Sequence, residues 1–315
     1  MKKILGLFLS LIMVICLTSN AFAAENDTKD LVYGNASVVE EASSMLDDLT
    51  NTQEFVVSEK EIVSQMLSEK TKTREDLNEE LGELSKQNLS ELTKKGYNES
   101  QIEKIKNYEI GEDAFNYLFS DENYSLRSNG AHVTFRYGLA GANTRRNITI
   151  AYDMKWSSCP FFTFTDSFGI GWIAADSNSY EIVTKTDSSM AQVNYYTVSG
   201  NNAGLYRNVT MDTSENGVVV GAPIIGSANG HYGKHIGGIT KISTQSNSYN
   251  IDTIHLFVAY AHTTIAVSLD WDVMLEWNKV SGAINFIPRP RQDIISQGDH
   301  TFRYNSQGDI VADVL

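Results

Sequence analysis

A chain of 315 residues, 42% hydrophobic and 20% charged, can bury one large or two medium cores at about 100–200 residues per domain. Its 39 acidic against 25 basic residues give a net charge of −14, which disfavours nucleic acid and anionic lipid as main partners. Two cysteines in the whole chain exclude a disulfide framework.

Residues 1–23 have the layout of a cleaved secretory signal. Lys2 and Lys3 precede the apolar run Ile4 to Leu17, and Ala21-Phe22-Ala23 places small residues where a signal peptidase reads them. The expected product is secreted and starts near Ala24. Loss of Lys2 and Lys3 takes its net charge from −14 to −16. The apolar run falls short of the ~20 residues a bilayer requires, and no later stretch approaches that length. Cys16 lies inside the signal between Ile15 and Leu17, without the small residue that precedes a lipid-modified cysteine, so Cys159 is the sole mature thiol.

Residues 24–37 read as a flexible linker and 38–119 as a helical region. Val38, Val39, Ala42, Met45, Leu46 and Leu49 recur at three- and four-residue steps, one face of a helix. Ile62, Val63, Met66 and Leu67 form a second stripe, with Ser58 and Glu61 as its capping box. Thr73 caps a third helix carrying Leu77, Leu81 and Leu84. From Leu89 to Ile105 the sequence writes a helix–turn–helix corner. Gly96 ends one helix, Asn98 caps the next with Gln101 reaching back, and Tyr97 staples onto Ile102. The second helix mixes Glu99 and Glu103 with Lys104 and Lys106, so it lacks the clustered positive charge that phosphate binding needs.

Near residue 120 the hydrophobic period switches from about 3.6 to 2. Ile148, Ile150, Tyr152, Met154 and Trp156 share one strand face, leaving Asn147, Thr149, Ala151, Asp153 and Lys155 on the other. Ile265 to Trp277 gives a longer alternation, and further strands are expected at 131–137, 162–172, 180–186, 190–198, 205–211, 236–243 and 251–262. The fold class is therefore α+β: a short helical N-terminal region followed by an antiparallel β-sandwich over 120–287, with a barrel as the alternative. Residues 288–315 read as a C-terminal tail after Pro288 and Pro290, with a hairpin around Asn305-Ser306-Gln307-Gly308. No internal repeat recurs at a fixed period.

No metal motif, phosphate loop or nucleophile elbow occurs, and no cofactor is called for. Strand parity nevertheless points Asp166 into the face of Phe168, Ile170 and Trp172, and His262 into that of Leu256, Val258 and Tyr260. A buried carboxylate needs a bulge or a donor such as Thr, Tyr, His or a backbone amide. With Cys159, or Ser157 or Ser158 in its place, the two would supply nucleophile, acid and base for a hydrolase. Against this stands the preference of cysteine for burial. Gly221 to Gly238 holds six glycines with His231, Tyr232, Lys234 and His235 and reads as a flexible binding loop; its two histidines would share a metal only on a helix, which the glycines disfavour. Asp270, Asp272 and Glu276 are a candidate Ca²⁺ set whose plainer reading is a solvated strand face. The 15 tyrosines, among them Tyr195, Tyr196, Tyr206, Tyr232 and Tyr249, suit sugar rings and protein partners, or simply fill the sheets.

Tyr152-Asp153-Met154-Lys155-Trp156-Ser157-Ser158-Cys159-Pro160, continuing to Thr165-Asp166 and Trp172, together with Ala259-Tyr260-Ala261-His262-Thr263-Thr264 and Gly96 to Ile102, resembles a group of uncharacterised secreted proteins of Gram-positive bacteria. The resemblance covers most of the mature chain and implies a helical N-terminal part and a β-rich C-terminal part. Through the group it extends to geobacillin-type large bacteriocins, which implies an antimicrobial role but carries over no catalytic residue. The function expected first is a non-enzymatic extracellular or cell-envelope binding protein. Next come a secreted antimicrobial or membrane-active protein, in which 221–238 and the Ser/Thr-rich 239–249 rearrange, and the Cys159/Asp166/His262 hydrolase.

Overall fold

The computed structural model describes residues 31–33, 37–68, 73–95, 97–119, 131–141, 145–161, 165–197, 199–214, 216–224, 231–263, 274–277, 284–287 and 292–312. The chain runs β1 (Leu31–Tyr33), α1 (Val38–Asp48), β2 (Gln53–Ser58), α2 (Glu59–Ser68), α3 (Arg74–Lys86), α4 (Leu89–Lys94), α5 (Glu99–Lys106) and α6 (Ala114–Phe119). It continues through β3 (His132–Gly141), β4 (Asn147–Trp156), β5 (Thr165–Ala175), β6 (Glu181–Ile182), β7 (Thr184–Thr197), β8 (Asn202–Asn208), β9 (Thr210–Ser214) and β10 (Gly217–Pro223). Last come β11 (His231–Thr244), β12 (Thr253–Thr263), β13 (Met274–Trp277), β14 (Ile284–Ile287), β15 (Gln292–Tyr304) and β16 (Ile310–Ala312).

Two open antiparallel sheets form the sandwich, so the barrel alternative falls away. The first is ordered β1-β8-β7-β11-β4-β3-β2, the second β16-β15-β12-β5-β10-β9 with β6 beside β5. The alternation in β4 explains the packing: Ile148, Ile150, Tyr152, Met154 and Trp156 all point between the sheets and are buried. Phe135 of the first sheet stacks on Phe168 of the second at 5.7 Å and lies 4.8 Å from the Tyr260 ring. Helix α1 covers the outer face of the first sheet, over β11, β4 and β7. Val39, Ala42 and Leu46 of α1 are buried there, as their spacing predicts. Ile62 of α2 belongs to the inter-sheet core while its neighbour Val63 joins a second core built by α3, α4, α5 and α6, so α2 seals the seam between the two.

The caps read from sequence are present. Ser58 and Glu61 exchange hydrogen bonds at the start of α2, and Thr73 with Asp76 and Asn98 with Gln101 form complete boxes. Each is worth about 1 kcal/mol. A further box, Asn88 with Glu91, starts α4. Gly96 lies outside the described residues, but Tyr97 follows it into the helical core with Ile102 as expected.

Three expectations need correction. Residues 31–33 and 53–58 are edge strands of the first sheet within stretches read as linker and helix, because alternating Phe55 and Val57 meet the exposed edge of β3, where Phe55 stacks on Phe135 at 4.6 Å. In the glycine-rich segment, 221–223 and 231–238 are strand, and 225–230 lie outside the described residues. Gly237 and Gly238 are needed for close approach: a Cβ at Gly237 would sit 2.8 Å from the Val39 Cα of α1, and one at Gly238 2.3 Å from the Tyr152 ring. The C-terminal tail is not a separate appendage, since β15 pairs with β12 from Thr253↔Arg303 to Thr263↔Gln292 and the hairpin at 305–309 follows it. Of the alternation read over 265–277, Met274–Trp277 is described and is strand as expected, paired antiparallel with Ile284–Ile287, and the rest lies outside the described residues.

Candidate functional site

Asp166 enters the inter-sheet core as its register predicts. The Tyr260 hydroxyl donates to its Oδ2 at 2.5 Å and the Trp156 indole N–H at 3.3 Å. Burial first, then the Asp166 charge, pushes the Tyr260 hydroxyl well above its ordinary pKa. His262 lies at the end of β12 opposite Asp293, and its side chain is outside the described residues. Cys159 belongs to the other core, with Tyr97, Ile105 and Tyr232, and the only hydrogen bond of its thiol among the described residues goes to the Pro160 carbonyl. The structure does not bring Cys159 into contact with Asp166. Burial, reinforced by the charge of Glu59, pushes the Cys159 thiol well above the ordinary range, the reverse of what a nucleophile needs.

His231, Tyr232 and His235 all lie on β11, not in a loop. Tyr232 is buried in the helical core; a bulge at Gly233/His235 turns His235 outward under α1. There it meets a polar cluster that strand parity alone concealed. Arg136 grips Asp153 through Nε at 3.0 Å and Nη2 at 2.5 Å, and reaches Asp47 of α1 through Nη1 at 2.6 Å. Ser43 of α1 donates to Asp153 Oδ2 at 2.6 Å, and His235 Nε2 stands 3.3 Å from that oxygen and 3.2 Å from Ser43 Oγ. Burial alone would raise the Asp153 pKa; hydrogen bonds from His235, Arg136 and Ser43 outweigh it and hold the carboxyl at about 2.

Ser, His and Asp thus meet, but not as a relay. One imidazole nitrogen faces both partners, and a carboxylate acceptor keeps the proton on the nitrogen that would have to be bare to deprotonate Ser43. The Ser43 hydroxyl moreover donates its hydrogen bond to Asp153. The cluster fastens α1 to the sheet. Among the described residues no group of three His, Cys, Asp or Glu side chains is placed to hold a metal. Asp270 and Asp272 of the calcium set lie outside the described residues, and Glu276 is placed only by its backbone on β13.

The exposed chemistry gathers at one end of the sandwich. Asp176 to Tyr180 turns β5 into β6, and Gln245 to Asp252 links β11 to β12. The two loops run side by side, tied at both feet: Asp252 N–H donates to Ala175 O at 2.8 Å and Gln245 N–H to Val183 O at 3.1 Å. A third loop, Asn305 to Asp309, adjoins them through Tyr304 N–H to Asp252 O at 3.0 Å. The first two carry the same tetrapeptide, Ser177-Asn178-Ser179-Tyr180 and Ser246-Asn247-Ser248-Tyr249, each followed two residues on by a buried anchor, Ile182 and Ile251. Asp176 Oδ1 accepts from the N–H groups of Asn178 and Tyr180, and Ser246 Oγ accepts from Ser248 N–H, so both loops are internally braced.

Tyr180 is 72% and Tyr249 52% exposed. Most tyrosines elsewhere have work inside the fold: Tyr97, Tyr108, Tyr117 and Tyr206 donate to Phe161 O, Glu112 O, Lys104 O and Glu40 respectively. Neither the Tyr180 nor the Tyr249 hydroxyl makes a hydrogen bond among the described residues. The signal that would have found this site is the repeated tetrapeptide, which a search for fixed-period repeats passes over.

No protein-family model matches the chain, and no curated protein matches it. Among solved structures it is similar to the collagen-binding domain of a Staphylococcus aureus adhesin, at 9% identity and a TM-score of 0.28, over 52% of this chain and 93% of that one. The collagen-binding subdomain of the Enterococcus faecalis surface protein ACE gives 11% identity and 0.26, over 52% and 90%. Clostridium perfringens delta-toxin gives 7% and 0.22, over 59% and 89%. Likeness at this level transfers no function.

Proposed function

We propose that this is a secreted, non-enzymatic protein that binds an extracellular or cell-envelope partner through the loop end of its β-sandwich. One observation carries the reading: three braced, adjoining loops rich in Asn, Ser and Tyr sit on a rigid double sheet and display two tyrosines with no internal role. Tyr, Ser and Asn in loops are the chemistry of adaptable recognition surfaces, since the ring supplies contact area at low entropic cost and the small polar groups supply hydrogen bonds. Export rests on residues 1–23, which lie outside the described residues. The burial of Cys159 and the locked Ser43/His235/Asp153 geometry support a role without catalysis. Among the described residues no helix is long and apolar enough to cross a membrane.

The test is a pull-down of the mature protein on purified bacterial cell walls, immobilised glycans and whole cells, run beside esterase and peptidase assays and dye leakage from liposomes. Saturable retention without turnover or leakage is expected. Hydrolysis or leakage in the absence of binding would reverse the reading.

A further inference from the structure

We propose that the paired Ser-Asn-Ser-Tyr loops form a binding site for an uncharged polysaccharide, with the Tyr180 and Tyr249 rings as stacking platforms for its sugar units. The proposal rests on the loop-end reading above and names the partner class.

Four features select this ligand. A tyrosine ring offers a flat apolar face and a polar rim, which matches a pyranose with C–H groups on one face and hydroxyls around its edge. Around the two rings stand neutral donors and acceptors: Asn178, Asn247 and Ser248 are exposed in the same loops. The nearby guanidinium groups are already engaged, Arg145 with Asp252 at 3.1 Å and over the Tyr304 ring at 4.6 Å, and Arg146 with Asn250 at 3.3 Å. A phosphate or carboxylate would have to break those contacts, and a net charge of −14 adds long-range repulsion, whereas a neutral chain meets neither cost. The shallow gap lined by Ile148, Ile251 and Phe302 among others amounts to about 140 Å³ even with the open solvent at its mouth, well under the roughly 300 Å³ at which small-molecule pockets begin. An open surface with two aromatic platforms fits several units of a polymer better than one small molecule, and two sites on one chain gain by multivalency.

The two platforms are also built to stay in place. Ser179 adopts φ +63°, a left-handed conformation uncommon for a residue with a side chain, directly before Tyr180. The Asp176 carboxylate holds the N–H groups on either side of it. Tyr180 is therefore held by its backbone, and the residue stays 72% exposed.

The experiment is affinity electrophoresis and titration calorimetry of the mature protein with soluble neutral glycans: N-acetylglucosamine oligomers, mannan, dextran and mixed-linkage β-glucan. Tyr180→Ala, Tyr249→Ala and the two Phe variants are measured in parallel. At least one glycan should bind, each Ala variant should weaken it about tenfold, and the Phe variants should retain most of the affinity, because stacking needs the ring. Both positions are exposed, so unchanged thermal melting serves as the folding control. No binding to any neutral glycan, with cell-wall or cell retention intact and insensitive to the Tyr variants, would overturn this proposal while leaving the general binding reading in place. No retention on any surface would overturn both. Glycan binding that survives the double Ala variant would place the site elsewhere and overturn the assignment to these loops.

Discussion

Replacing Asp153 by Asn tests the reading of the cluster under α1 as a structural clamp. The carboxylate is 2% exposed and held at a pKa of about 2 against 3.8 for the free group. At about 1.4 kcal/mol per pKa unit, its native interactions contribute roughly 2 kcal/mol of stability at neutral pH. Removing one partner of a fully buried pair typically costs 3–5 kcal/mol, but Arg136 is 23% exposed and can regain water, so about 2–3 kcal/mol is expected for the variant. The sign with pH follows from the depressed pKa. The contribution is complete above the unfolded carboxyl's pKa near 4 and is lost as pH falls towards 2. Equilibrium urea unfolding between pH 7 and pH 2 should therefore show a wild-type stability that falls across this window and a variant that starts lower and falls less. A variant as stable as wild type at pH 7, or one with an unchanged acid slope, would refute the clamp.

Two further perturbations probe the packing. Gly238→Ala places a methyl 2.3 Å from the buried Tyr152 ring and should cost at least the 1–3 kcal/mol of an overpacked core, read as a fall in Tm of several degrees. Cys159 should resist a disulfide reagent in the native protein at pH 8 and react fully in guanidinium, giving one thiol per mature chain; fast native labelling would show that the helical core is open.

How far the sequence revealed the fold depended on the range of the interaction that decided each element. The strand faces and the helix caps are local, and β4, Thr73 and Asn98 were legible from period and spacing alone. Asp153 was not. It shares a strand face with Asn147 and Lys155, which are exposed, and only the arrival of α1 from more than a hundred residues upstream buries it. Gly237 and Gly238 carried the clue to that arrival but resembled loop glycines, because the absence of a side chain serves close approach as well as backbone freedom. The bulge that turns His235 outward likewise has no signature in a two-residue period. For Asp166 the register left a bulge or a donor as the two outcomes, and the structure supplies the donor Tyr260, with Trp156 added.

The distribution of satisfied and unsatisfied polar groups separates what holds the molecule together from what it can offer outside. Ser43, His235, Arg136 and Asp153 use one another, Asp166 uses Tyr260, and the Cys159 thiol turns to its neighbouring carbonyl. Groups committed in this way cannot meet a ligand without dismantling the packing around them, because each would leave a buried partner unpaired at about 1–3 kcal/mol. Tyr180, Asn247 and Tyr249 have no side-chain hydrogen bond among the described residues and lie in loops whose backbones are already braced. Replacing them by Ala costs the fold little. They lie on strand-tethered loops instead of a mobile terminus, so a partner that contacts them does not first have to order the chain, and that saved entropy appears directly as affinity.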